Sequence, residues 1–437
     1  MNHPSTEKPL CLVAIDMGYG HLRPAHALSE YLSLPILEAD RAPLAQAEER
    51  QRWHSLRRAY ERLSRASQHA LWGAPLRAVL NATTNIPEYY PERDLSRPTM
   101  GARYLEHHIR RGLGHDLASY LATHNARLLT TYYAPAIAAD RHGHTDIYCI
   151  VTDSDINRVW APLLGEGSHI TYLVPSQRAR RRLRAYGVAQ ERIAVTGFPL
   201  PHSLLGGPQL PVLRHNLRRR LRRLDTHGVF HDDMRHELVQ LLGKNAEGPE
   251  GPAVPPRLSF AIGGAGAQSG LVEQFLPSLA PLLESGKLRL TLVAGRRADA
   301  HERIMAAVVQ HKLEALMHNA LDVLYEPDMH GYFQKFNTLM ADTDVLWTKP
   351  SEVTFFGALG MPLILSPPVG IHEHFNRRWC EQSGVGLRQH DPRFAADWIK
   401  DWLKDGTFAA AAWSGFVRMP KYGLYKISDT ITNGRAQ

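Results

Sequence analysis

The sequence predicts an α/β protein of two doubly wound parallel-sheet units. Three observations carry this. Short apolar runs end in glycine or polar turns and lead into helical patterns. That rhythm stops in a proline- and glycine-rich stretch and then restarts. The length, 437 residues, exceeds one ordinary core.

The first run, "LCLVAID" from Leu10, feeds "MGYGHLRPAHALSEYL", a glycine turn opening a helix. The same strand-turn-helix order recurs at "ARLLTTYYAPAIAAD", at "DIYCIVTDSD" and at "HITYLVPSQRARRRLRAYG", where Ser176 is placed to cap the helix that follows. Strands alternating with helices imply a parallel sheet. From Arg257 the alternation resumes with "RLSFAIGG", "LRLTLVAG", "LDVLYE", "TDVLWTK" and "PLILSP", each followed by a helix or loop. These strands are apolar almost throughout, as expected where helices cover both faces. We therefore expect an N-terminal domain over residues 1–202, a basic, Pro/Gly-rich connection over 203–255, a second domain over 256–394, and one or two closing helices over 395–437 that pack on a domain rather than adding a third. Ligands of such sheets bind at the carboxyl ends of the strands, so the cleft between the units is the expected site.

Composition narrows the function classes. Hydrophobic residues make up 44% and charged residues 22%, the balance of a folded protein. Cys11, Cys149 and Cys380 lie far apart in or beside apolar runs, which fits buried reduced thiols and a cytoplasmic location rather than a disulfide frame or zinc site. No apolar signal core and no membrane-spanning stretch of about 18 residues is present, so neither export by that route nor an integral membrane protein is expected. A formal charge of +8 favours an anionic partner. "EERQRWHSLRRAYERLSRASQHALW" sets Trp53, Leu56, Tyr60, Leu63 and Leu71 near one helical face ringed by arginines, which fits either a helix lying on an acidic membrane or one facing the core. No nucleic-acid-binding motif accompanies the charge.

Four constellations carry chemistry. Gly18-Tyr19-Gly20-His21 places a flexible turn, helix amides and an imidazole at a strand end, although a glycine pair can simply close a turn. Gly263, Gly264, Ala265, Gly266, Gln268 and Ser269 form a small-residue loop suited to hold a diphosphate by backbone amides; the alternative is a tight turn with close helix packing. Lys349, Ser351, Glu352 and Thr354 follow one strand, and His372, Glu373 and Asn376 follow the next. Their carboxylates suit ribose or sugar hydroxyls and the lysine suits phosphate, whereas Ser351 could also be an N-cap and Glu352 a first-turn dipole partner. Asp153 and Asp155 in "VTDSDINRVWAP" have the oxygen chemistry of a divalent-metal pair, but the reading we adopt is an orienting role.

In order and spacing, "GYGHLRPAHAL", "VTDSDINRVWAP", "YLVPSQRARRRLRAYGVAQERIAVTGFPLP", "GGAGAQSG" and "TKPSEVTFFGALGMPLIL" with "HEHFN" resemble the glycosyltransferases of the B fold (GT-B). They look closest to monogalactosyldiacylglycerol synthase and the peptidoglycan lipid-intermediate N-acetylglucosaminyltransferase. The resemblance implies two Rossmann-like domains facing a cleft, with an acceptor side and a nucleotide-sugar side. It implies a final helix that crosses back to the first domain and an inverting transfer from a UDP-sugar to a lipid or membrane-associated acceptor; with the arginine-ringed helix, the expected location is the cytoplasm or the inner face of the membrane. His21 with Asp153 would be catalytic, Gly18, Tyr19, Gly20 and Asp155 acceptor-side, and the residues from Gly263 to Ser269, Lys349 to Thr354 and His372 to Asn376 donor-binding. No cofactor or divalent metal is expected. Relatives carry Glu-Ala-Leu where this chain has Gly357-Ala358-Leu359, so the expected ribose glutamate is missing. The alternatives are a soluble-acceptor transferase, a nucleotide-sugar epimerase, or a non-catalytic nucleotide-sugar-binding or partner-binding protein. Tyr89-Tyr90 and the arginine-rich "LRHNLRRRLRRLD" match no catalytic motif.

Overall fold

In the computed structural model the described residues are 8–66, 85–163, 166–243, 254–263, 268, 270–368 and 370–433; for residues 56, 57 and 59–66 the description covers the backbone alone. The chain divides into two compact units, Met1–Pro199 with Tyr422–Gln437, and Leu200–Lys421.

The first unit holds strands β1 (Leu10–Ala14), β2 (Ile36–Glu38), β3 (Arg127–Thr130), β4 (Ile147–Ile150), β5 (Ile170–Val174) and β6 (Ile193–Val195) in the order β2-β1-β3-β4-β5-β6. Every pairing is parallel. The second unit holds β7 (Arg257–Ala261), β8 (Arg289–Gly295), β9 (Leu321–Tyr325), β10 (Val345–Thr348), β11 (Leu363–Leu365) and β12 (Gly386–Arg388) in the order β12-β11-β10-β7-β8-β9, again all parallel. Nearly every residue of β1 and β8 is buried, because helices cover both faces. The sequence reading missed β2, β6 and β12, whose three residues each are too few to show a pattern. Chain direction around each sheet reverses once, between β1 and β3 in the first unit and between β7 and β10 in the second. Such switch points leave a crevice at the carboxyl ends of the two strands.

The segment expected as a connection folds instead into helices Pro211–Leu224 and Val229–Leu242 of the second unit. Its arginines explain why. Arg220 is 2% exposed and donates to the carbonyls of Thr343, Leu359 and Gly360 at 2.9–3.1 Å. Burial lowers its pKa to about 10, which still leaves it cationic at neutral pH. Arg223 adds bonds to Asp342 (3.0 Å) and Asp344 (3.3 Å). The run is therefore a packing device that satisfies carbonyls at the entry to β10 and the end of the turn before β11.

The closing segment forms three helices rather than one or two. Ala395–Lys404 and Thr407–Arg418 stay with the second unit, and Gly423–Asn433 alone joins the first. There Tyr425 meets Tyr31 edge-on at 5.6 Å and Arg127 donates to the Ile431 carbonyl at 2.8 Å. Ser176 caps its helix as expected, accepting from the Ala179 amide at 3.1 Å. Among the described residues no helix is long and apolar enough to cross a membrane. The helix Ala47–Ala66 forms, and Trp53 on it is 4% exposed, which places that position of the proposed membrane face in the core. Leu71 lies outside the described residues. The three cysteines are free and buried, with burial pushing the thiols of Cys11 and Cys380 up to about 11 and about 12.

Arg220→Met should lower stability by about 3 kcal/mol or more, because three buried carbonyls lose their donor at roughly 1–3 kcal/mol each. A urea titration followed by tryptophan fluorescence measures this; an unchanged midpoint would show that these carbonyls find other donors.

Candidate functional site

The crevice of the first unit forms around His21. Gly18 takes φ +111°, a conformation open to glycine and strained for other residues, and so turns the chain from β1 into the helix Tyr19–Leu32. A side chain at Gly18 or Gly20 would meet no atom within 4 Å, so the backbone here borders open space. Tyr19 begins the helix and is partly exposed. His21, in the first turn, lies 2.8 Å from the Thr131 carbonyl through Nδ1, while the Thr131 hydroxyl donates to the His21 carbonyl at 2.8 Å. A carbonyl can only accept, so Nδ1 carries the proton and the lone pair of the neutral ring sits on Nε2. This bond crosses the switch point from the end of β1 to the end of β3. The Thr152 hydroxyl, at the end of β4, lies 3.4 Å from the same Nδ1.

Aromatic rings wall this corner. Tyr132 meets the imidazole edge-on at 4.7 Å and Trp160 lies 6.2 Å away. Tyr133 lies 5.1 Å from Trp160 and 4.3 Å from Tyr132, and the two tyrosine hydroxyls are 3.1 Å apart. Sequence reasoning passed over Thr131, Tyr132, Tyr133, Thr152 and Trp160. Their signal was polar and aromatic residues packed at strand ends, in "LLTTYYAP" and "VTDSDINRVWAP".

The two aspartates expected nearby part company. Asp153 is partly exposed directly after Thr152. Asp155 is fully buried and accepts from Arg182 Nε (2.7 Å) and Nη2 (2.9 Å), Arg178 Nε (2.7 Å) and the Ile156 amide (3.0 Å). With its oxygens committed it does not face an acceptor, which corrects the sequence expectation, and it does not join Asp153 as a ligand pair. Burial alone would lower the pKa of Arg182, but the bonds to Asp155 outweigh it and raise the guanidinium above its usual range. Tyr89 lies under Arg182 and Arg181 at 4.0 and 4.2 Å and donates to the Arg178 carbonyl at 3.1 Å. The unexplained Tyr89-Tyr90 stretch thus braces the arginines that hold Asp155.

In the second unit Gly263 follows β7 and Lys349 follows β10, on either side of the switch point. The lysine side chain runs over the glycine: a Cβ on Gly263 would lie 2.2 Å from Lys349 Cε. Lys349 Nζ then reaches Glu373 Oε1 at 2.6 Å. Glu373 is 2% exposed, and its other oxygen lies 3.5 Å from the Gly370 amide at the start of the helix Ile371–Gln382. The lysine and glutamate, read from sequence as separate ligand contacts, form one partly buried ion pair. Asn376 is fully buried and donates to the Pro350 carbonyl at 3.3 Å, tying that helix to the loop after β10. Thr354 is likewise buried, its hydroxyl donating to the Ser351 carbonyl at 2.7 Å. Both residues shape the corner from behind and do not offer their polar groups to a ligand, which corrects the expectation for them. Ser351 stands at the N-cap position but its side chain makes no cap bond. Glu352 is 8% exposed in the first turn that follows, and His372 is exposed. Gln268 is buried, with Oε1 unpartnered among the described residues. Gly264, Ala265, Gly266 and Ser269 lie outside the described residues.

Gly357 accounts for the missing glutamate. It sits in a 3₁₀ turn, Glu352–Leu359, pressed against the helix Thr407–Arg418. A Cβ there would lie 2.8 Å from Met419 Sδ and 3.0 Å from Val385 Cγ2. A side chain here would require Met419 and Val385 to shift, so it is a close-packing site.

No protein-family model matches the sequence, and no curated protein sequence matches it. Among solved structures the chain is similar to Staphylococcus aureus MnaA, solved with UDP, at 9% identity and TM-score 0.51, over 98% of this chain and 97% of that one. It is also similar to UDP-GlcNAc 2-epimerase from Neisseria meningitidis bound to UDP-GlcNAc, at 10% identity and TM-score 0.48 over 98% and 100%. A third is the glycosyltransferase SnogD from Streptomyces nogalater, at 13% identity and TM-score 0.43 over 98% and 99%. What this establishes is the fold, two six-stranded parallel α/β units of the GT-B type.

Asp155→Ala should destabilise the protein by about 3–5 kcal/mol, since it leaves the buried Arg182 and the partly buried Arg178 without their carboxylate. Chemical denaturation of the variant checks this, and a loss below about 1 kcal/mol would remove Asp155 from the framework of the site.

Proposed function

We propose that this chain is an inverting glycosyltransferase that moves a sugar from a UDP-sugar to a hydroxyl of a lipid or membrane-associated acceptor. The observation that carries the reading is His21. Its ring is tethered through Nδ1 at a switch point beside open backbone, so that Nε2 has the lone pair a general base needs.

In this mechanism Nε2 takes the proton of the acceptor hydroxyl. The oxygen attacks the anomeric carbon on the face opposite the nucleotide, and the bond from that carbon to the diphosphate breaks with its electron pair leaving on UDP. Asp153 is assigned to orienting the imidazole or acceptor. The donor diphosphate is assigned to the loop from Gly263 to Ser269, beside the start of the helix Leu271–Glu284, whose end favours negative charge. A phosphate arriving there would share Lys349 with Glu373. Glu352 and His372 are assigned to the nucleotide and sugar. Charge relief is assigned to these groups rather than to a divalent metal. The Staphylococcus aureus neighbour was solved with UDP, which directs the choice of donor. The acceptor class rests on the aromatic wall of Tyr132, Tyr133 and Trp160 together with the surplus of +8.

The deciding experiment incubates the protein with UDP-sugars and a lipid extract and analyses the products by mass spectrometry. Glycosylated lipid with release of UDP supports the reading. An epimerised donor formed without acceptor, or donor binding with no product, would replace it. His21→Ala should depress turnover by about 100-fold or more with UDP affinity unchanged; an unaffected rate rejects the base role. Gly263→Ala should weaken UDP binding by about tenfold or more, equivalent to ~1.4 kcal/mol, by displacing Lys349. Calorimetric titration reads this directly, and wild-type affinity would move the donor away from this corner.

A further inference from the structure

A large cavity lies at the opposite end of the second sheet, where β7 and β8 begin. It has a volume of about 990 Å³ and is separate from the crevice at the carboxyl ends of β7 and β10. That is the upper range of ordinary small-molecule sites. Its floor is apolar, with Pro255, Pro256, Leu282, Leu288 and Leu403 prominent.

Its rim is cationic. Arg222 contributes from the helix Pro211–Leu224, Lys287 from the turn before β8, and Lys400 and Lys404 from one face of the helix Ala395–Lys404. Arg219 and Arg223 also line it, but their guanidiniums are drawn to Asp342. Asp225, the acidic residue among the described lining residues, is turned inward: its carboxylate accepts from the His231 amide and Nδ1, both at 2.8 Å, and from the Phe230 amide at 3.2 Å. Lys400 has a loose exposed contact with Asp397 at 3.5 Å, and Lys287 and Lys404 have no ion-pair partner among the described residues. Among the described residues the charge of Lys287 and Lys404 at the mouth is not cancelled by an ion pair, whereas the interior offers apolar surface and few polar groups. An ion alone would gain nothing from that floor, and an uncharged hydrocarbon nothing from the rim.

We infer that this cavity binds an amphiphilic anion, with its phosphate or carboxylate on Lys287, Lys400 and Lys404 and its apolar body against the proline and leucine floor. The ligand is either a monomeric single-chain amphiphile or the head and upper chain of an acidic membrane lipid. The occupancy is independent of the donor and acceptor assignments, because it uses none of their residues.

The test measures binding of the full chain to dodecyl phosphate below its micelle concentration, to inorganic phosphate, and to vesicles of phosphatidylcholine with or without phosphatidylglycerol. The same titrations are repeated with the double variant Lys287→Glu, Lys404→Glu, whose changes are both exposed. Saturable dodecyl phosphate binding that weakens at least tenfold in the variant, with inorganic phosphate binding far more weakly, supports the proposal and a monomeric source. Binding to phosphatidylglycerol vesicles that the variant also loses, together with the dodecyl phosphate effect, supports it with a membrane source. Equal affinity for inorganic phosphate, or dodecyl phosphate binding that the variant leaves unchanged, overturns it. Vesicle binding without any monomer binding also overturns it.

Discussion

A single reversal of winding in each sheet is the constraint on which both candidate sites depend. Helices that follow neighbouring strands on either side of the reversal leave in opposite directions, so the ends of β1 and β3, and of β7 and β10, are not roofed by a crossover. His21 and Thr131 meet at the first of these places, and Gly263 and Lys349 at the second. The chemistry-bearing residues are brought together by strand order, since 110 residues separate His21 from its carbonyl partner.

Around these crevices the protein spends many polar side chains on holding loops. Asp155 gathers Arg178 and Arg182, Glu373 takes Lys349 and Asn376 reaches Pro350, while at the opposite end of the second sheet Arg220 serves three carbonyls. A loop next to a ligand crevice cannot satisfy its backbone by strand pairing, so side chains from the adjoining helices do it instead. Glu49 shows the same habit away from the site, accepting from the Gly114 and Asp116 amides and from Trp53. Burial raises its pKa against the pull of those donors.

The departures from the resembling family acquire physical causes. Gly357 is where a turn and a helix pack closely, and a Cβ on Gly415 of that helix would lie 2.3 Å from the Gly357 carbonyl oxygen. A glutamate in this triplet position would press on Met419 and Val385. The basic run in "LRHNLRRRLRRLD" divides by face: Arg220 and Arg223 turn inward, while Arg222 reaches the rim of the separate cavity.

What the sequence alone determined is the doubly wound class, the restart at Arg257, most strands and the strand-end locations of candidate residues. Apolar runs and glycine turns are local, and local patterns survive in a linear string. The aromatic wall around His21, the burial of Asp155, the pairing of Lys349 with Glu373 and the use of Arg220 as a core residue were settled only by tertiary structure. Each depends on a partner distant along the chain, and a charged or aromatic side chain reads the same on paper whether it meets solvent, a ligand or another residue.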